Sequence, residues 1–196
     1  MRFEVKVMKK RLMTFGTAAL PGLPAMAFLA AAFLGALSLG ASSEARAANP
    51  TPINKFSDWV ASTYDDNGKT LCFATTEPKR VTGKYQGRGK PYIAVTHAPA
   101  ANVRDQISYV AGYDFKPDSD VKVTIGKETF MLGVLQKGRA WAKDSDTDKA
   151  LVLAMRKGNS LTVKGTSTHG NDITDTYSLI GFSKAYQAIG AACKIQ

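Results

Sequence analysis

The feature that most restricts the fold of this chain is its pair of cysteines, the only two in 196 residues. Cys72 follows an apolar N-terminal leader at a short distance, and Cys193 lies three residues from the C-terminus. In a chain that carries an export leader, an even pair without CxxC spacing or a histidine-rich context is typical of one structural disulfide. A bridge would close a loop of over 100 residues. The end of the chain would then have to fold back onto the beginning of the domain.

The first 47 residues have the organisation of an export signal. Basic residues precede an uncharged run over 12–41, and the sequence ARA at 45–47 has the small-x-small form of a signal-peptidase site. We therefore expect a Sec-type signal peptide at 1–47, cleaved after Ala47, and a periplasmic or secreted protein. The alternative is an uncleaved anchor, because 25–41 reaches the short limit for a spanning helix.

The location does not depend on cleavage, or on whether Met1 or Met8 is the start, because the cationic flank stays in the cytoplasm. Without the leader the chain keeps 20 Lys/Arg and 14 Asp/Glu, so its formal charge is +6 and not the +10 of the whole sequence. This balance is compatible with anionic lipid, polysaccharide or nucleic acid. We expect no nucleic-acid partner, and membrane contact only through an uncleaved leader.

Short apolar or alternating segments separated by turn residues predict one β-rich domain at 56–196, after a flexible leader at 48–55. The predicted strands are 56–64, 70–77, 92–99, 105–113, 121–125, 129–135, 160–168 and 173–180, with 136–143 as an extension. Asn67-Gly68 and Gly126-Lys127 mark the clearest hairpin turns. The expected fold is mainly β: an antiparallel β-sandwich or barrel-like domain with two short α-helices near the C-terminus.

Helical spacing appears twice in the second half. The first helix is predicted in 144–158, where the acids Asp144 and Asp146 are suited to the N-terminus and Gly158 to the end. The second helix ends the chain. Its apolar face holds four residues spaced four, three and four apart: Phe182, Tyr186, Ile189 and Cys193. That face should pack on the sheet and bring Cys193 to the strand that carries Cys72.

A basic segment without acids lies at 78–91, with three glycines and two prolines that predict a loop. Its five cations form a candidate anion-binding surface: Lys79, Arg80, Lys84, Arg88 and Lys90. The alternative is a solvated loop whose charge only keeps the protein soluble. A phosphate-binding loop is excluded because Gly83 and Gly89 have five residues between them instead of four, and Pro91 follows where Ser or Thr is needed.

No residue set indicates a reaction, a cofactor or a metal site. His97 lies late in an apolar strand and is expected to be packed, and His169 lies in a polar turn. Ser167, His169 and Asp172 share one hairpin, which is an unsuitable arrangement for a catalytic triad because the third group should come from another element. We therefore expect no catalytic residue and no cofactor. A hydrolase with a site around His97 or His169 remains the enzymatic alternative.

The second half contains "AMRKG", "LTVKGTS" and "TYSLIGF" with a terminal cysteine, and the first half contains "FSDWVA", Cys72 and "GRGKPYIAVTHAP". In these motifs the chain resembles the invasion-associated locus B family of alphaproteobacterial exported proteins. The resemblance spans nearly all of 56–193 and implies no catalytic residues. The family is named for host-cell invasion, but most relatives occur in bacteria that invade nothing.

The resemblance therefore implies a non-enzymatic periplasmic envelope protein, acting as a binding or structural module. Its expected partners are anionic envelope components or another envelope protein. A secreted protein that contacts host cells is the other alternative.

Overall fold

The computed structural model describes residues 49–195. The predicted signal peptide at 1–47 and its cleavage site lie outside these described residues. Within them, no helix combines the length and apolar character needed to cross a membrane. Every strand pairing in this part of the chain is antiparallel.

Residues 49–195 contain twelve strands, two α-helices and a short 3-10 helix at Pro99–Ala101. In chain order the strands and α-helices are β1 (Thr51–Phe56), β2 (Trp59–Asp66), β3 (Lys69–Thr76), β4 (Arg80–Thr82), β5 (Tyr92–Ala98), β6 (Val103–Val110), β7 (Val121–Ile125), β8 (Glu128–Leu132), β9 (Val134–Gln136), β10 (Arg139–Trp141), α1 (Ser145–Lys157), β11 (Ser160–Thr166), β12 (Asp172–Ser178) and α2 (Phe182–Ala192). One sheet has seven strands in the order β1-β2-β3-β5-β6-β10-β9, and the other has five in the order β4-β12-β11-β7-β8. The predicted mainly β, antiparallel, sandwich-type fold with two helices is confirmed.

The core lies on one face of the seven-stranded sheet. Because successive side chains of a strand point to opposite faces, alternate residues of its central strands are fully buried there, Trp59 and Tyr109 being the largest. Tyr109 faces the five-stranded sheet, and its hydroxyl donates to the carboxylate of Asp175 on β12 at 2.8 Å. Trp59 packs against Phe182 of α2, with ring centroids 4.8 Å apart. The second sheet thus covers part of this face, and the helices cover another part.

The hairpin turns form as their residues predict. Asn67 and Gly68 separate β2 from β3 and have φ of 53° and 81°. Two left-handed residues in succession define the type I′ turn, whose twist matches that of the flanking strands. The turn Gly126-Lys127 connects β7 to β8 as expected, and Arg139–Trp141 extends the first sheet as β10.

The structure corrects the prediction of a flexible leader at 48–55. Thr51–Phe56 forms β1, an edge strand that pairs with β2 from Thr51↔Thr63 to Phe56↔Trp59. Its side chains are almost all exposed, so the segment has no apolar alternation from which a strand could be predicted. Backbone hydrogen bonds to β2 hold it instead. Likewise Arg80–Thr82, predicted as loop, pairs with β12 as β4.

The C-terminal helix fulfils its predicted role. Phe182 and Ile189 are fully buried, and α2 packs on β2 and β3. Immediately after the helix, Cys193 is bonded to Cys72 of β3, with their Cα atoms 5.9 Å apart. The predicted disulfide is confirmed, and both cysteines are buried. The bond joins residues 121 positions apart and fixes the end of the chain to the centre of the first sheet.

The double variant Cys72→Ala/Cys193→Ala should therefore lose stability. Closing a loop of this length lowers the entropy of the unfolded chain, a contribution of about 4–5 kcal/mol in the chain-entropy model. Urea titration of the oxidised wild type and of the variant measures the difference in the free energy of unfolding. The wild type under full reduction is the control and should match the variant. A difference below about 1 kcal/mol would mean that the bridge does not stabilise the fold.

Candidate functional site

Arg88, predicted to belong to an anion-binding surface, directs its side chain into the protein, where it is largely buried. Its guanidinium makes a two-pronged ion pair with Asp175, at 2.8 Å to Oδ1 and 2.5 Å to Oδ2, and its Nε donates to the carbonyl of Ala111 at 2.8 Å. The Arg88 side chain is 12% exposed and that of Asp175 is fully buried. Arg88 is therefore unavailable to a ligand, which corrects the sequence interpretation.

Three tyrosines surround this ion pair. Tyr109 and Tyr177 direct their hydroxyls at Oδ2 of Asp175, at 2.8 and 3.4 Å, and the guanidinium lies over the ring of Tyr113, 5.2 Å from its centroid. Burial lowers the pKa of Arg88, but the hydrogen bonds and charge of Asp175 outweigh it, so the pKa is raised overall. Burial also raises the pKa of Tyr113 to about 12. Arg88 therefore stays charged and Tyr113 stays protonated near neutral pH, which suits a structural role.

The other four cations of the basic segment do not share one environment. Lys79 forms an ion pair with Asp58, and the hydrogen bond from Lys79 lowers the pKa of that carboxyl. Arg80, Lys84 and Lys90 are exposed. Arg88 and Lys79 therefore do not belong to a free anion-binding surface, because each already forms an ion pair. Anion binding by the remaining three residues stays a prediction.

His97 is confirmed as a packed residue and is fully buried. Its Nδ1 accepts from the backbone N–H of Asp105 at 3.2 Å, which places the proton of the neutral ring on Nε2. Nε2 is buried and has no hydrogen-bond partner among the described residues. Burial lowers the pKa of His97, although the charge of Asp105 opposes this. A neutral ring without solvent access cannot serve a substrate as a base.

The residues of the polar turn are also engaged separately. The hydroxyl of Ser167 accepts from the backbone of Asn171 at 3.2 Å, and Asp172 binds Thr166 and Lys164. His169 stacks on Tyr85, with ring centroids 5.2 Å apart. No triad is assembled by these side chains. Across residues 49–195, no three His, Cys, Asp or Glu side chains are grouped so that they could hold a metal ion.

Asp148 has a role that the sequence did not predict. Asp144 caps α1 as expected, its Oδ1 accepting from the N–H of Thr147 at 2.7 Å. Asp148, one turn later, is buried and accepts from the N–H of Ile107 on β6 at 2.9 Å. Burial raises its pKa to about 6 in spite of this hydrogen bond. Asp148 therefore joins α1 to the first sheet through a carboxyl that titrates in a physiological range.

The candidate functional site is an open trough across the outer face of the seven-stranded sheet, with a volume of about 810 Å³. A single row of cross-strand partners runs along it, from Lys55 at one end through the four residues of its floor: Val60, Thr75, Ala94 and Ser108. Directly paired residues have side chains on the same face, so this row runs perpendicular to the strands. It continues to Trp141 on β10.

Small side chains make this trough. Valine, threonine, alanine and serine form the middle of the row, while the rings of Phe73 and Tyr92 also line the trough. Four lining serine and threonine side chains bring hydroxyl groups: Ser57, Thr75, Thr96 and Ser108. The hydroxyl of Thr76, which also lines the trough, donates to the carbonyl of Asp58 at 2.7 Å. A concave surface of this volume, with aromatic rings and a few polar groups, has the composition of a ligand site.

Charged side chains occur only around this floor. Three cations and two acids line the trough: Lys55, Lys79, Arg139, Asp58 and Glu77. Lys79 pairs with Asp58. Within the described part of the chain, no carboxylate lies within ion-pair distance of Lys55 or Arg139. These two cations lie on β1 and β10, on opposite sides of the uncharged floor.

Sequence reasoning missed this face, although it carried a signal. On β2, β3, β5 and β6 the charged outward residues lie only at strand ends, at Asp66, Lys69 and Arg104. The outward positions between these ends hold no charged residue: they are Val60, Ser62, Tyr64, Leu71, Phe73, Thr75, Tyr92, Ala94, Thr96, Gln106, Ser108 and Val110. In an antiparallel sheet with one solvated face, the residues that point to solvent are normally polar or charged. Reading the outward positions of all four strands together would have shown the difference. The register needed for that comparison comes only from the structure.

Comparison with known proteins gives one family and one solved structure. A family model described as "Invasion associated locus B (IalB) protein" matches residues 59–190. The crystal structure of invasion associated protein B from Bartonella henselae is similar over 72% of this chain and 96% of that one, with 19% identity and a TM-score of 0.49. No curated protein matches the chain.

The variant Asp148→Asn should become more stable than the wild type as the pH rises. The folded state holds the carboxyl at a pKa of about 6 against an ordinary 3.8, so its neutral form is favoured on folding. The stability that the neutral carboxyl contributes to the folded state is present below pH 4 and is lost as the pH rises through 6. The amide keeps an acceptor for Ile107 and never ionises. The difference in unfolding free energy should shift by about 2–3 kcal/mol between pH 4 and pH 7.5.

Urea titrations at a series of pH values measure this difference. Asp146→Asn, an exposed acid of the same helical turn, is the matched control and should show no such shift. A difference between Asp148→Asn and wild type that is constant with pH would contradict the assignment.

Proposed function

This chain belongs to the invasion associated locus B family, and we propose that it is an exported, non-enzymatic module that binds a component of the bacterial cell envelope. The observation that carries this proposal is the open trough on the seven-stranded sheet. The trough offers aromatic rings, hydroxyl groups and two unpaired cations to a ligand. Its lining residues do not include a histidine or a cysteine that could act as a base or a nucleophile.

Export is supported by the leader and by the disulfide. A charged flank, an uncharged run and a small-x-small site have the order of a signal peptide. Disulfides persist in oxidising compartments such as the periplasm and are rare in the cytosol. The Cys72–Cys193 bond therefore agrees with a periplasmic or secreted location.

The enzymatic alternative has less support. A hydrolase needs a base that reaches its substrate, and His97 is fully buried. His169 is exposed, but neither Ser167 nor Asp172 is directed at it, since both side chains bind other groups. The remaining alternative, a secreted protein that contacts host cells, shares the export signal and differs from the proposal in the final location and in the surface that it binds.

Fractionation of a Gram-negative host that produces the full chain tests the location. The protein should be released with the periplasm, begin at Ala48 and contain no free thiol. A chain that starts at residue 48 without the leader is the control and should remain in the cytoplasm with both thiols reduced. Recovery of the full chain in the cytoplasm would contradict export, and recovery only from the medium would favour the host-contact alternative.

Binding is tested on the exported protein. The purified chain should sediment with isolated envelopes of that host, whereas the Thr75→Tyr variant, which fills the floor of the trough, should stay in the supernatant. Thr162→Tyr, on the outer face of the five-stranded sheet, is the matched control and should sediment like the wild type. A wild-type chain that never sediments with envelopes would contradict the proposed binding function.

A further inference from the structure

The trough has a direction and two charged ends, and these features restrict what it can bind. Its floor row runs across the strands from Lys55 on β1 to Ser108 on β6, and Arg139 lies on the next strand, β10. Five inter-strand spacings separate β1 from β10, which is about 24 Å at about 4.8 Å per spacing. A ligand that contacts both cations must therefore be extended and lie perpendicular to the strands.

The two cations call for negative charge near both ends of that ligand. Arg139 offers a planar fork that fits a carboxylate, and Lys55 offers a point charge. Between them the floor is uncharged. At the β1 side of the trough, Asp58 forms an ion pair with Lys79, and Glu77 is the second acid on the rim. Charge complementarity therefore favours separated, singly charged groups over a dense polyanion, because a dense polyanion would also meet Glu77.

The floor suits a carbohydrate better than a peptide. The backbone N–H and C=O groups of the central strands are used in the sheet ladder, so a peptide that crosses them finds no backbone partner for its own amide groups and cannot extend the sheet. A sugar chain presents hydroxyl groups, which the threonine and serine hydroxyls can bind, and apolar C–H faces, which the rings of Phe73 and Tyr92 can cover. Any sugar hydroxyl that is not contacted remains hydrated in an open trough.

We infer that the trough between Lys55 and Arg139 binds an extended polysaccharide that carries carboxylate groups. The inference rests on the proposed function and names the ligand class for the same site. Lys55 and Arg139 hold carboxylates at the two ends, and the row of small residues admits the sugar chain between them. The candidate surface of Arg80, Lys84 and Lys90 has no part in this site, since none of them lines the trough.

Isothermal titration calorimetry of the exported chain with a galacturonate oligomer tests this inference. A neutral glucose oligomer and poly-L-glutamate serve as probes that lack the carboxylate and the sugar, respectively. The wild type should bind the galacturonate oligomer at least tenfold more tightly than either of these. Equal binding of the neutral oligomer would overturn the role of the carboxylates. Tighter binding of poly-L-glutamate would identify a peptide site and overturn the inference.

Two pairs of variants locate the site. Lys55→Glu/Arg139→Glu should weaken binding of the galacturonate oligomer at least tenfold, whereas Lys122→Glu/Lys127→Glu should change it less than about twofold. The second pair alters the net charge equally, at exposed positions on and beside β7. The uncharged variant Thr75→Tyr should also reduce binding at least tenfold, and Thr162→Tyr should not. Equal losses from both charge-reversed pairs would mean non-specific attraction and would overturn the site.

Failure here is separable from failure of the proposed function. If the wild-type chain does not bind the galacturonate oligomer but sediments with envelopes, only the ligand class is overturned. A chain that does neither overturns both.

Discussion

The ion pair between Arg88 and Asp175 is the interaction on which the arrangement of the two sheets depends. It joins the segment before β5 to β12 through two hydrogen bonds of 2.8 and 2.5 Å, and Tyr109 of the first sheet completes the shell of Asp175. Taking these charges out of water is costly, and loss of one partner leaves the other uncompensated at a cost of about 3–5 kcal/mol. The pair therefore persists only if both sheets keep their positions. Its hydrogen bonds, together with that of Tyr109, connect β12 of the second sheet to the first sheet.

This interior use of Arg88 changes where a ligand can bind. With Arg88 in the core and Lys79 paired with Asp58, the basic segment no longer offers a cluster of five free cations. The free cations with a concave surface between them are Lys55 and Arg139, which come from strands far apart in the chain. The disulfide and α2 act on the opposite face of the same sheet, because Cys72 points into the core. One face is thus closed by packing while the other stays open.

Much of the fold was predictable because its signals are local. The Asn67-Gly68 turn, the Asp144 cap and the apolar face of α2 each follow from residues within a few positions of one another. The disulfide followed from counting and compartment. Strand β1 was not predictable, because an exposed edge strand lacks apolar alternation. The burial of Arg88 and of Asp148 was missed for a different reason: each has a partner more than 40 residues away, and only the fold brings them together. The trough depends in the same way on the register of six strands.

Amide resonances of the isotope-labelled exported chain, followed by NMR during titration with a galacturonate oligomer, test the central claim most directly. The trough predicts that shifts concentrate on the floor row, at Val60, Thr75, Ala94 and Ser108, and on the flanking residues Lys55 and Arg139. The exposed face of β7 and β11 should remain unshifted. Shifts that fall instead on Lys122 and Lys164 of those strands, with the floor row unchanged, would contradict the assignment of the outer face of the seven-stranded sheet as the binding site.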